Sequence, residues 1–419
     1  MTEEIKARIE SIRKGEAPEG YKKAIPYIIP QDWQVKKLGT ITKRTSRPNN
    51  DGKDRPAYSI NNRKGFVPQS EQFEDGSYQD LDKTAYKIVR RGEVAYNPAR
   101  VNVGSIGRLR DEDEVIVSSL YVCVGVDDSI NGEYFDAWTK TRDFFEETVR
   151  NTEGSVREYL FYENFANMRM PVPEITEQQK IAAILATCQH VIELKELLLD
   201  EKRKQKQWLM KVLFTPDSDM RLLGFEKAQW KQISLGDECV MFSGGTPKAG
   251  KDEYYSDGTI PFIRSGEISK TSTELFLTEL GYKNCSAKMI EIGDILYALY
   301  GANSGDCSIS KMKGAINQAI LCIRPRTIDR ELLYYLLCSL KEKIVSTYLQ
   351  GGQGNLSAEI IKKLVVNVPV DEKYQKAIIE RLITADKEIS LLEQELETWQ
   401  QKKKVLMQLL LTGLVRVNV

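Results

Sequence analysis

Histidine is nearly missing from this 419-residue chain, where His190 is the only one. That inventory excludes a Ser–His–Asp triad, a histidine general base and a multi-histidine metal site. Seven cysteines (123, 188, 239, 285, 307, 322, 338) are odd in number, scattered and never spaced Cys-x-x-Cys. They read as reduced, mostly buried thiols rather than a disulfide framework or a zinc site. Long apolar runs are missing too: Leu197-Leu198-Leu199 and Leu409-Leu410-Leu411 are among the longest, far from the roughly 20 residues that span a bilayer. Met1 to Lys14 alternates charges with single apolar residues and lacks a secretory core. The expected location is the cytoplasm, with no membrane partner. Net charge is absent as well, with 60 Lys+Arg against 60 Asp+Glu.

What is present is a soluble globular composition, 29% charged and 41% hydrophobic, long enough for two to four domains. Charge is uneven along it. Ile41 to Lys64 holds seven basic residues (43, 44, 47, 53, 55, 63, 64) against Asp51 and Asp54, and Lys87 to Arg110 holds six against Glu93. These are local positive stretches, readable as solvated loops or as a polyanion footprint.

The strongest pattern is an internal repeat. Trp33-Gln-Val-Lys-Lys-Leu-Gly is echoed 197 residues later by Trp230-Lys-Gln-Ile-Ser-Leu-Gly. Trp208 to Thr215 is echoed at the same spacing by Val405 to Thr412. Between them Gly92-Glu-Val-Ala-Tyr96 returns as Gly293-Asp-Ile-Leu-Tyr297, and Val172-Pro173 with Gln179-Lys180 returns as Val368-Pro369 with Gln375-Lys376. Four landmarks in one order mark a duplication.

Each half has two textures. From about 22 to 172 and 222 to 368, short strand-like runs such as Val115-Ile116-Val117 and Tyr121 to Val124 are broken by Gly, Pro, Asn and Asp. Phe135 to Phe145 and Glu331 to Leu340 read as helices, so each module mixes α and β. After each Val-Pro a long helix is expected. In the second copy Ile378, Leu382, Ala385, Ile389, Leu392, Leu396, Trp399, Lys403, Leu406 and Leu410 alternate four and three apart, a heptad seam. The first copy keeps Ile181, Leu185, Cys188, Ile192, Leu199, Leu209 and Leu213 in phase but places Lys at 195, 202 and 206. The economical solution pairs the two helices antiparallel, and Ile175 to Leu213 would measure about 58 Å. The alternative is a generic dimerisation coiled coil. The expected fold class is α+β: two globular α/β modules joined by two long antiparallel coiled-coil helices in a pseudo-twofold repeat. The expected boundaries are a helical segment at 1–21, a module at 22–173, a helix at 174–215, a module at 216–370, a helix at 371–413 and a tail at 414–419.

Catalytic motifs nearly occur and fail. Gly245 to Asp252 fits a Walker A loop except that Asp252 replaces the magnesium-binding hydroxyl, and Pro247 removes an N–H. Tyr96-Asn97-Pro98-Ala99 lacks the second proline and the aromatic of an Asn-Pro-Pro-aromatic methyltransferase motif. Glu193-Leu194-Lys195 is half of a nuclease site and reads better as a solvated helix face. No catalytic or metal-binding residue is assigned.

Ile29-Pro30-Gln31-Asp32-Trp33 with Leu38-Gly39, Pro171-Val172-Pro173 with Glu177-Gln178-Gln179-Lys180-Ile181, Gly244-Gly245-Thr246-Pro247 and Leu410-Leu411-Thr412-Gly413 stand in a distinctive order. In these residues the chain resembles, over essentially its whole length, the specificity subunits of type I restriction–modification systems. The resemblance implies that 22–173 and 216–370 are target recognition domains, each reading half of an asymmetric bipartite site in double-stranded DNA. It implies that the helices are the spacer and dock two methyltransferase subunits, and that restriction/translocase subunits complete the complex. S-adenosylmethionine, ATP and Mg would then sit on those partners, with no cofactor in this chain. Two departures stand out: Leu213-Phe214-Thr215-Pro216 lacks the glycine seen at Gly413, and Tyr374-Gln375 replaces the first helix's Gln pair.

Phosphate contacts call for Lys and Arg, and base-edge contacts for Arg, Asn, Gln and Ser. The candidates in the first module are Lys43, Arg44, Arg47, Asn49, Asn50 and Lys53, with Arg100 and Asn102. Those in the second are Ser243, Lys248, Lys251 and Arg264, with Tyr300, Asn303, Lys311 and Lys313. For each, a solvated surface residue is the alternative. Seam or partner-binding positions are Ile181, Leu185, Cys188, Ile192 and Leu199 in the first helix. In the second they are Ile378, Leu382, Ile389, Leu392, Leu396, Trp399 and Leu406. Two other function classes stay open: a self-contained methyltransferase or nuclease, and a coiled-coil adaptor that binds only proteins.

Overall fold

A computed structural model of the chain describes residues 2–72, 83–152, 159–216, 228–248, 250–348 and 355–417. It divides into two compact units, Met1–Lys195 with Glu395–Val419, and Glu196–Gln394.

In the first unit Val94–Tyr96 is buried on both faces, as an unbroken apolar run should be. It lies inside a four-stranded antiparallel sheet ordered Ile106–Arg108, Val94–Tyr96, Val122–Val126, Thr42–Thr45. Trp33, Leu38, Tyr96, Tyr134, Phe135 and Trp138 form the centre of the core beneath it. Gln34–Lys37 pairs antiparallel with Arg169–Val172, which brings the module's beginning and end together just ahead of the first long helix, Ile175–Leu213. The helical run expected at 135–145 is instead two helices, Gly132–Trp138 and Arg142–Asn151. Asn131 caps the first, and the Thr141 hydroxyl caps the second by accepting from the Phe144 N–H. A local cap therefore overrides an apolar periodicity that runs across it.

The second unit repeats this arrangement. Its antiparallel sheet runs Cys307–Ile309, Ile295–Ala298, Ile320–Pro325, Cys239–Ser243, the same strand order with the same central run. Trp230–Ser234 pairs with Val365–Pro369 just before the second long helix, Glu372–Leu411. A smaller feature recurs as well: Phe262 and Ile263 pair in parallel with Ala315 and Ile316, as Ala57 bridges Ile116 in the first unit. The duplication seen in sequence is thus a duplication of topology. Packed on the second sheet is the helix Arg330–Tyr348, whose Leu332, Leu333, Leu336 and Leu337 are buried.

Both long helices contribute a stretch to each unit, and the stretches run antiparallel. In the first unit Gln189 accepts from Lys403, and Lys195 lies 2.6 Å from Glu395. In the second, Lys202 meets Glu388 at 2.9 Å, Arg203 meets Glu393 at 2.6 Å, and Lys206 pairs with Asp386. The heptad positions carry the burial. Ile181, Leu185, Cys188, Ile192 and Leu199 are buried on the first helix. On the second, Ile378 and Leu382 are buried while Ile389, Leu392, Leu396, Trp399 and Leu406 are half-buried. Lys195, Lys202 and Lys206 sit half-buried in that seam, their stems covered and each ammonium paired with a carboxylate of the facing helix.

Gly413, at φ +70°, ends the second helix as a left-handed C-terminal cap. Beyond it Leu414 is buried, and Val415 and Val417 pack on the first unit's core.

Candidate nucleic-acid interface

The residues that mark the ends of each module are structural. Glu177, nearly fully buried, accepts from the Trp33 indole N–H at 3.1 Å and from Arg416 at 2.7 and 2.8 Å. Gln178, also buried, accepts from the Asn131 N–H at 2.8 Å and donates to the Pro173 carbonyl at 2.9 Å. In the second unit Tyr374 stands edge-on to Trp230, with centroids 6.2 Å apart, and Gln375 donates to the Pro369 carbonyl. The Gly244-Gly245-Thr246-Pro247 stretch is a close-packing device. A Cβ on Gly244 would lie 1.7 Å from the Ile316 carbonyl oxygen, and one on Gly245 would lie 1.9 Å from Ser286 Oγ.

In the first unit the candidate residues divide into tied and free. Arg47 is a fork on Glu93, at 2.8 and 2.9 Å, and Glu93 also accepts from the Arg90 N–H. Hydrogen bonding to Glu93 raises the Arg47 pKa further, so the guanidinium stays charged and is held in an ion pair with Glu93. Asn49 accepts from Arg55 and donates to the Lys83 carbonyl, an organiser of its own loop. Arg55 is itself buried between Asp51 and Glu114. Lys43, Asn50, Lys53 and Arg100 are exposed, and Arg44 only grazes Glu163 at 3.4 Å.

Asn102 lines a cleft of about 660 Å³ together with Arg63, Lys64, Lys140, Phe144 and Tyr58. Arg63 and Lys64 belong to the positive stretch 41–64 but are not among the contact candidates chosen from sequence. They sit at the tip of the hairpin Tyr58–Asn61/Gly65–Pro68, where the Asn61 side chain accepts from both backbone N–H groups and Gly65 takes φ +72°. The signal was there: Asn-Asn-Arg-Lys-Gly between two apolar runs is a turn that presents two cations. At the other side of the cleft Arg110 and Lys140 converge on buried Asp136 at 2.6 Å each. Burial pushes that carboxyl up, but Lys140 and Arg110 outweigh it and hold it below the usual range.

In the second unit Arg264 is tied to Glu267 at 3.1 Å and to Glu274 at 3.0 Å, and Lys313 to Glu291 at 2.8 Å. Lys251 lies over the Tyr254 ring at 5.0 Å and 3.4 Å from Glu253. Lys248 and Lys311 are exposed, and Ser243 is half-buried at its strand's end. The structure brings Tyr300 and Asn303 into one neighbourhood. Gln318, whose side chain lowers the Tyr300 pKa against the effect of burial, accepts from the Thr246 hydroxyl, and a Cβ on Gly266 would lie 3.4 Å from Asn303 Nδ2.

Burial raises the Glu267 pKa, yet Arg264 and the Arg264 and Glu274 N–H groups outweigh burial and hold it at about 2. A carboxylate depressed when folded adds stability that is full above the unfolded value near 4.5 and is lost as pH falls toward 2. Glu267→Gln should therefore cost about 2 kcal/mol at pH 7, discounted for the solvated Arg264, and nothing near pH 2. Urea unfolding at both pH values checks this, and an equal cost at both would refute it.

Comparison with known proteins follows the same division. Residues 227–399 match the family model for the type I restriction modification DNA specificity domain. The type I restriction enzyme MjaVIII specificity subunit of Methanocaldococcus jannaschii is 25% identical over 434 residues, covering 96% of this chain and 97% of that protein. The EcoR124I/EcoR124II specificity subunit of Escherichia coli is 22% identical over 232 residues, 52% of this chain and 56% of its own. Among solved structures, a chain from work on assembly and conformational transition of a type I R-M system superposes with TM-score 0.62 at 16% identity, over 93% of this chain and all of that one. The type I restriction–modification S subunit from M. genitalium gives 0.56 at 14% identity, over 93% and 98%. Residues 227–399 thus match the type I restriction modification DNA specificity domain, and along nearly its whole length the chain is similar to type I restriction enzyme specificity subunits.

Proposed function

We propose that this chain is the non-catalytic reader of an asymmetric bipartite DNA target, with 22–173 and 216–370 as its two target recognition domains. The observation that carries this reading is the repetition of one strand order in each unit beneath unlike surfaces. The first unit presents the Arg63-Lys64 hairpin where the second presents the turn Ser265–Glu267. Two readers of one build and different chemistry suit two different half-sites. The helices at 174–215 and 371–413 serve as the spacer, and the first, 39 residues long, measures about 58 Å. Leu194, Leu197, Leu198 and Trp208, exposed along it, suit docking of two methyltransferase subunits. S-adenosylmethionine, ATP and Mg belong to those partners and to restriction/translocase subunits, and the complex works in the cytoplasm. Among the described residues no helix is long and apolar enough to cross a membrane.

The test is duplex binding by the full chain, alone and with its host's methyltransferase subunit, across a salt series. A reader that neutralises six or more phosphates loses about a thousandfold or more in affinity between 50 and 200 mM salt. The complex should also methylate adenine in a bipartite motif, and the chain alone should neither methylate nor cut. Salt-independent binding, or no motif with the partner present, would refute the proposal.

A further inference from the structure

The two units share one loop that the strand order alone does not require. Tyr96 and Tyr297, both fully buried, stand at the last and next-to-last positions of equivalent inner strands. Asn102 and Asn303 each stand six residues beyond that tyrosine. Two residues further come Gly104 and Gly305, at φ +93° and +84°, and the next strands then begin at Ile106 and Cys307. Short backbone bonds set each asparagine: Gly104 N–H to Val101 O at 3.0 Å, and Asp306 N–H to Asn303 O at 2.9 Å. Each loop is also braced by the segment that follows the unit's parallel pairing. A Cβ on Gly104 would lie 3.1 Å from the Asn62 carbonyl, and Gly266 approaches Asn303.

Both side chains are half-buried, and among the described residues neither amide has a hydrogen-bond partner. A half-exposed amide with no protein partner, held on an ordered loop, is free to exchange its water for a ligand's edge. The chemistry narrows that partner. A planar amide carries a donor and an acceptor side by side, which matches the N6 amino group and N7 of adenine in the major groove; phosphate offers acceptors only. The other polar candidates at these surfaces do not repeat: Arg63 and Lys64 line the cleft with Asn102, whereas the turn Ser265–Glu267 approaches Asn303 through Gly266.

We infer that Asn102 and Asn303 are equivalent base-reading residues, each specifying one adenine in its own half-site. The inference rests on the DNA-reading function proposed above. Selection of duplexes from a randomised library by the full chain, alone and with its host's methyltransferase subunit, tests it. Asn102→Ala should lose preference at one adenine by roughly tenfold to a hundredfold and leave the other half-site untouched; Asn303→Ala should do the converse. Asn102→Asp and Asn303→Asp, nearly isosteric and so kind to the loop, should turn that preference from adenine to cytosine, because a carboxylate only accepts. The salt slope of binding should stay unchanged in the two alanine variants, which alter no charge. Wild-type preferences in the variants, or an even loss at every position, would overturn the inference alone. A wild-type chain that enriches no sequence in either setting would overturn the DNA-reading function and the inference with it.

Discussion

Replacing Gly244 by alanine is expected to cost the second unit about 3 kcal/mol or more. The new Cβ would lie 1.7 Å from the Ile316 carbonyl oxygen and 2.5 Å from its carbon. Both are backbone atoms of a strand that pairs with Ile263 on one side and Lys288–Ile290 on the other. No side-chain rotation relieves that overlap, so either the strand or the glycine loop must leave its place. Gly301→Ala is the control. Gly301 takes φ +88° with nothing within 4 Å of a Cβ, and the strain of a left-handed alanine costs about 1 kcal/mol. Hydrogen exchange across 239–325 should rise sharply for Gly244→Ala and barely for Gly301→Ala. Since Thr246 in that loop bonds Gln318 beside Tyr300, reading of one half-site should fail first. A Gly244→Ala protein as protected as wild type would mean that the close approach does not exist.

The second large effect belongs to Arg416. Its guanidinium spans Asp32 at 2.6 and 2.8 Å and Glu177 at 2.7 and 2.8 Å, and lies 5.8 Å from the centre of the Trp33 ring. Arg416→Ala leaves the Glu177 carboxylate buried with only the Trp33 N–H as a side-chain partner. Breaking a buried pair from one side costs about 3–5 kcal/mol; because the Arg416 side chain is 37% exposed, about 2–3 is expected here. Lysine at 416 keeps the charge but not the fork, so it should recover less than half. Arg416→Met with Glu177→Gln should recover more than either single change, because no buried charge is left unpaired. Thermal unfolding of the wild type, Arg416→Ala, Arg416→Lys, Arg416→Met, Glu177→Gln and the Arg416→Met/Glu177→Gln pair checks the order. Additive single effects would show that the two groups do not depend on each other.

Much of the frame was legible because it is periodic or repeated. The first long helix runs from Ile175 to Leu213, and along the two helices Ile181, Leu185, Cys188, Ile192, Leu199, Ile378 and Leu382 are buried. A repeat of landmarks such as Tyr96 and Tyr297 became a repeat of strand order, since homologous apolar runs bury in homologous ways. The candidate surface was legible only as composition. Lys195, Lys202 and Lys206 read as flaws in the first seam until the facing helix supplied Glu395, Glu388 and Asp386. Arg47, Arg264 and Lys313 read as free cations, yet Glu93, Glu267 with Glu274, and Glu291 hold them. In the other direction, Arg63 and Lys64 gained importance only when the hairpin put them beside Asn102.

By itself the sequence determined the repeated landmarks, the long helices and the near absence of histidine. Periodicity is a local property, and an inventory needs no coordinates. Tertiary structure alone decided which polar groups are already paired and which face outward unpaired. A hydrogen bond depends on a few ångströms between groups that lie tens to hundreds of positions apart in the chain.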